Sequence, residues 1–151
     1  MTKLNLSADL EAALTQLRRY DFCLQSDVSS FFSFSEWSPT FGGFSVNPKG
    51  AHRFATLGKI CVCTVAQTTS GTSNGVSFTM SAPVQAANIP NGYWGCSHWV
   101  TTDNGVDLTT PGKSYIQGGS GIITLNSNSA GGAWTAANGK RASFTLIYEI
   151  D

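Results

Sequence analysis

The sequence predicts an all-β head, an antiparallel β-sandwich of jelly-roll type, preceded by a short N-terminal α-helix. Three observations carry this. Apolar residues alternate with period two in Val76–Ser81 and in Ala142–Ile150, the signature of a half-buried strand. Four Asn-Gly dipeptides, at 74–75, 91–92, 104–105 and 138–139, punctuate the same region, and tight hairpins need their tolerance of positive φ. Leucines spaced by three and four occur only before residue 18. The chain therefore divides into residues 1–27, a helical attachment or oligomerisation segment, and residues 28–151, the β-sandwich head.

The helix is expected at about 7–20. Ser7 is placed as its N-cap, Asp9 and Glu11 fall in the first turn, and Arg18 and Arg19 lie near the end, all complementary to the helix dipole. Leu6, Leu10, Leu14 and Leu17 form one narrow stripe. An isolated helix of this length is marginal in water, so it must pack on something. Three partners stay open: its own head, other copies around a threefold axis, or a larger particle.

In Val76–Ser81 the residues Val76, Phe78 and Met80 face one way, and in the C-terminal stretch Phe144, Leu146, Tyr148 and Ile150 do. Residues 59–67 differ, because Ile60, Val62 and Ala66 are apolar on one face and Cys61, Cys63 and Val65 on the other. Such a strand needs cover on both sides, from another subunit or a long loop. Further strands are expected near 30–37, 41–46, 52–57, 94–102, 105–110 and 121–126, giving eight to ten in all. Gly118–Gly121 and Ala130–Gly132 read as loops. A sandwich fits this pattern best, with a single barrel as the competitor.

Composition narrows the function. A chain of 151 residues suits one domain burying about 68–70% of its unfolded surface. Charged residues are 12% of the total, and seven of the eighteen lie in the first 27 positions. The formal net charge of zero removes the electrostatic term that dominates non-specific nucleic-acid binding. No apolar run reaches the ~18 residues of a membrane helix, and the N-terminus lacks a signal-peptide layout, so neither nucleic acid nor membrane insertion is expected.

Catalytic chemistry is not expected. No nucleophile elbow, phosphate loop or His-centred nucleophile pair occurs. Asp103 and Asp107 flank the Asn104-Gly105 turn, where they read as solvated turn residues or, more remotely, as the carboxylate pair of a glycan-active enzyme. Cys23, Cys61, Cys63 and Cys96 read as small buried hydrophobes. No metal or cofactor is assigned, a strand-borne site using Cys96 and His98 being the sole alternative.

The aromatic residues carry the binding expectation. Trp37, Trp94, Trp99 and Trp134 all lie near expected loops, either as plugs closing the sandwich or as contacts to sugar or protein. Tyr93 and Trp94, following Asn91-Gly92, are the first candidates for ligand contact, with Trp99 beside them.

Glu36–Pro48, then Arg53-Phe54 and Leu57–Ile60, then Thr69–Met80, and finally Trp134 with Ala142–Ile150 resemble a β-rich domain of tailed-bacteriophage virion proteins. That domain is met as the outer head of tail fibres and other surface appendages. The resemblance covers most of residues 36–150 and rests on strand and turn sequences, with no functional residues to transfer. It implies a homotrimeric, non-enzymatic module on the virion surface, assembled in the host cytoplasm. Two functions follow as expectations. In one, the head contacts host-surface glycans; in the other, the N-terminal segment clamps capsid or tail proteins and the head is a decoration knob without a receptor.

Overall fold

A computed structural model describes residues 33–136 and 138–151. The helix expected at 7–20, its stripe of Leu6, Leu10, Leu14 and Leu17, Cys23 and the first part of the strand expected at 30–37 lie outside these residues. The rest is all-β, with thirteen strand segments in two antiparallel sheets.

In the first sheet, β1 (Ser35–Glu36) borders β4 (Lys49–Leu57), β4 borders β5 (Ile60–Thr69), and β5 borders β13 (Gly139–Glu149). Ser143 is opposite both Ala66 of β5 and Val100 of β9 (Val100–Asp103), so β13 lies between those strands. β10 (Val106–Asp107) closes that edge. β6 (Gly71–Ser73) also pairs with β13, at Gly139 and Lys140, and β3 (Phe44–Val46) pairs with β6. The second sheet runs β2 (Phe41–Gly42), β7 (Thr79–Ser81), β12 (Ile122–Asn126), β11 (Lys113–Gln117), β8 (Tyr93–Ser97).

Alternation sets the core. Cys61, Cys63 and Val65 of β5 are directly opposite Tyr148, Leu146 and Phe144 of β13, and all six side chains are buried. They meet Met80, Ile116, Ile123 and Leu125 of the second sheet in one hydrophobic cluster, so the two sheets pack as a sandwich. Burying a large apolar side chain contributes about 1.5–3 kcal/mol. Aromatic edges fill one end, with Phe78 in T-shaped contact with Phe44 at 4.7 Å and Trp134 at 5.1 Å.

The turn signals divide sharply. Asn104 (φ 53°) and Gly105 (φ 78°) join Asp103 to Val106 in a two-residue type I′ hairpin. The β4–β5 hairpin instead turns at Gly58-Lys59, with positive φ at Gly58 alone, a type II′ geometry. Asn91 and Asn138 have positive φ without making hairpin tips, and Asn74-Gly75 has none.

Several expected elements differ. The stretch 94–102 breaks at His98-Trp99: the His98 N–H donates to Gly112 at 2.9 Å and the Trp99 N–H to Ser143 at 3.0 Å, so the chain crosses from the second sheet to the first. The strand expected over 105–110 is only two residues long, since the chain leaves the sheet before Pro111. Val76 is exposed rather than facing the core with Phe78 and Met80, because it precedes β7 and its carbonyl accepts the Trp134 N–H. β6 and β11 were not anticipated. In β11 the inward positions are Ser114 and Ile116, so half of its core face is a hydroxyl and period-two apolarity has nothing to register.

Candidate functional site

The outer face of the second sheet carries an open cleft of about 710 Å³ over β8 and β11, walled on one side by the loop after β12. Cross-strand register places Gly95 opposite Tyr115, and Ser97 opposite Lys113, which is opposite Asn126 in turn. Tyr93 is 61% exposed and meets Tyr115 edge-on at 5.9 Å between ring centroids. The two rings thus present an aromatic wall beside a shallow floor at Gly95.

The loop wall is tied down by its own hydrogen bonds. The Gly132 N–H donates to Asn128 Oδ1 at 2.8 Å, Ser127 Oγ donates to the Ala133 carbonyl at 2.8 Å, and Trp134 Nε1 donates to the Leu125 carbonyl at 2.8 Å. Gly131 adopts φ 94°, the left-handed region that favours glycine, and its position sets the loop backbone beside Lys113.

Behind the cleft floor lies a buried polar group. His98 is 4% exposed, its Nε2 is 2.8 Å from Ser114 Oγ, and its Nδ1 is 3.2 Å from Thr101 Oγ1. Thr101 Oγ1 also accepts the Gly112 N–H at 2.9 Å. The imidazole stacks on Phe144 at 5.5 Å. Burial without a carboxylate partner holds its pKa down at about 4, so the ring is neutral at pH 7. Both ring nitrogens are engaged by hydroxyls, which leaves no imidazole donor for a site shared with Cys96. Burial pushes the Cys96 thiol up to about 11 and Cys63 up to about 12, keeping both protonated and unreactive. Among the described residues no group of three His, Cys, Asp or Glu side chains is placed to hold a metal ion.

The three aromatic residues expected to contact ligand separate. Tyr93 lies in the cleft. Trp94, the next residue, points to the opposite face of β8, across from Ile116, and packs against the core. Trp99 is 55% exposed and borders a second, smaller hollow of about 220 Å³ together with Asp107 and Leu108. Trp37 and Trp134 act as plugs: Trp37 sits edge-on to His52 and Phe54, and Trp134 is buried against Phe78. Tyr115 and Lys113, which complete the cleft, belong to the unanticipated strand β11; the alternation of Lys113, Tyr115 and Gln117 on its outer face was their only sequence signal.

Asp103 and Asp107 do not converge. Asp107 is opposite Thr102 and shares its face, while Asp103, one residue on, takes the other face. Asp103 accepts the Thr135 N–H at 3.1 Å and its hydroxyl at 3.0 Å. Asp107 accepts the Thr102 hydroxyl and pairs with Arg141 at 3.4 Å, contacts that hold its carboxyl below the usual range.

The chain matches no protein-family profile and no curated protein at a significant level.

Proposed function

We propose that this protein is a surface module of a bacteriophage virion, a homotrimer anchored by its N-terminal segment, whose sandwich head contacts glycan and carries no catalysis. One observation carries the binding part: the β8–β11 cleft combines an exposed aromatic wall, a glycine floor and neutral hydrogen-bonding groups from Ser97, Asn126 and Ser129. Sugars bind in this way, with apolar ring faces on aromatic rings and hydroxyls on neutral polar groups. Weak single-site affinity multiplies when three heads are held on one particle. The jelly-roll winding of the sandwich belongs to the same reading, supported by the repeated passage of the chain between its two sheets. Virion placement rests on the resemblance of Glu36–Pro48, Thr69–Met80 and the C-terminal strand.

A second observation favours assembly. On the outer face of the first sheet, Ala55, Val62 and Ile147 align across β4, β5 and β13, with Leu57 and Ile60 in the next row. Ile147, at the β13 end of this row, is 57% exposed, and apolar contiguity of this kind marks a contact surface. It supports the homotrimer and equally a knob seated on capsid or tail proteins.

The experiment is attachment of the full chain to host cells and glycan arrays. Tyr93→Ala with Tyr115→Ala should abolish binding while leaving the melting temperature within a few degrees. Unchanged binding by a folded double variant would sink the glycan role and leave the decoration reading. Light scattering of wild type and Ile147→Lys tests the trimer, which a wild-type monomer at micromolar concentration would refute for the free protein.

A further inference from the structure

We propose that the β8–β11 cleft takes a carboxylate-bearing sugar, a uronic or sialic acid unit of a glycan, with Lys113 as its counter-charge. The proposal rests on the reading of this cleft as a glycan site. Its lining contains one ammonium group and no carboxylate. Among the described residues Lys113 takes part in no salt bridge, whereas Arg53 pairs with Glu36 and Arg141 with Asp107. Lys140, by contrast, is buried on the carbonyls of Gly75 and Ser77. Lys113 is thus a half-buried cation facing a cavity with its charge uncompensated. Partial removal from water strengthens its attraction for an anion that enters.

Position adds to charge. Lys113 stands on β11, held between β8 and β12, and its cross-strand neighbours Ser97 and Asn126 offer a hydroxyl and an amide on either side. The backbone of the opposing loop approaches it closely, since a Cβ at Gly131 would lie 3.6 Å from Lys113 Nζ. A carboxylate placed against Lys113 would therefore have neutral donors to both sides, and the attached ring would extend along the strand toward Tyr115 and Tyr93.

Gly95 supplies the room. It lies within β8 without positive φ, and a Cβ there would meet only the Ser114 carbonyl at 3.3 Å and Tyr115 Cβ at 3.7 Å. That approach is tight, so a Cβ would push on the Ser114 carbonyl by a few tenths of an ångström; glycine at this point also leaves the cleft floor open where a ligand comes close to the sheet.

The test uses the full chain and three probes: glucuronate- and sialate-terminated oligosaccharides, the same glycans with the carboxyl reduced to an alcohol, and phosphorylated sugars. Wild type should bind the carboxylated glycans at least tenfold more tightly than their reduced counterparts. Lys113→Gln should erase that preference by weakening binding of the carboxylated glycans to the level of their reduced counterparts, and Lys113→Arg should keep it. Tyr93→Ala, an exposed change, should weaken binding of both forms, and Gly95→Leu should block both. Equal wild-type binding of acidic and reduced glycans, preference for phosphorylated sugars, or an acid preference surviving in Lys113→Gln would overturn the carboxylate assignment and leave the glycan site standing. Binding of no glycan at all, or binding indifferent to Tyr93→Ala in a folded protein, would overturn the glycan reading and this inference with it.

Discussion

His98 couples the stability of the sandwich to pH. Its imidazole is neutral, stacked on Phe144 and hydrogen-bonded to Ser114 and Thr101, with a folded pKa of about 4 against an ordinary value of 6.5. The unfolded chain therefore binds the proton more readily than the folded one. His98 imposes no cost above pH 6.5; the cost grows as pH falls through the interval from 6.5 to about 4 and levels off below it. One pKa unit corresponds to 1.36 kcal/mol, which makes the loss about 2 kcal/mol at pH 5 and about 3 kcal/mol at pH 4. Urea unfolding of wild type and His98→Gln between pH 7 and pH 4 measures it. Glutamine keeps an amide near Ser114 and does not titrate, so its own packing cost is constant across the series. The difference between the two proteins should shift by about 3 kcal/mol in the variant's favour on acidification. His52, whose pKa burial also lowers, is common to both and cancels. Parallel stability curves for the two proteins across that interval would refute the argument.

Four further substitutions probe the fold. Trp134→Phe keeps an aromatic ring against Phe78 but removes the donor to the buried Leu125 carbonyl, so unfolding free energy should fall by about 2 kcal/mol, and a change within ~0.5 kcal/mol would count against that bond. Lys140→Met retains the stem beside Phe44 and Phe78 but leaves the carbonyls of Gly75 and Ser77 without this donor, with an expected loss of about 2–4 kcal/mol by chemical denaturation; a stabilised variant would show that burying the charge costs more than its contacts return. Gly105→Ala at φ 78° should cost about 1–2 kcal/mol, while Gly121→Ala, where a Cβ meets nothing within 4 Å, should be neutral or slightly stabilising in thermal melts; equal effects would remove the special role of the type I′ turn.

Class and core were legible in the chain because they depend on local periodicity. The alternation of Phe144, Leu146 and Tyr148 named the inner face of β13, whereas β5, apolar on both faces in sequence, turned Cys61, Cys63 and Val65 inward only by pairing with β13. Asn104-Gly105 made the type I′ turn that the dipeptide tolerates, while the other three Asn-Gly pairs did not, because their flanking segments do not pair as a two-residue hairpin. Partner choice was not legible. Nothing local to His98 states that residues 94–97 pair in one sheet and residues 100–103 in the other, because a strand's neighbour is decided by cross-strand packing far away in sequence. The same holds for the cleft. Tyr93 and Trp94 are adjacent in the chain, yet the pleat sends one ring outward and the other into the core, and only the pairing with Ile116 and Gln117 says which. Tyr115, Lys113 and Gly95 became one site when β8 and β11 paired, bringing together residues eighteen to twenty positions apart. The sequence by itself determined that this chain is a neutral β-protein with alternating core strands; the tertiary structure alone decided which face of the second sheet is hollow, because a cleft exists only between strands that have found each other.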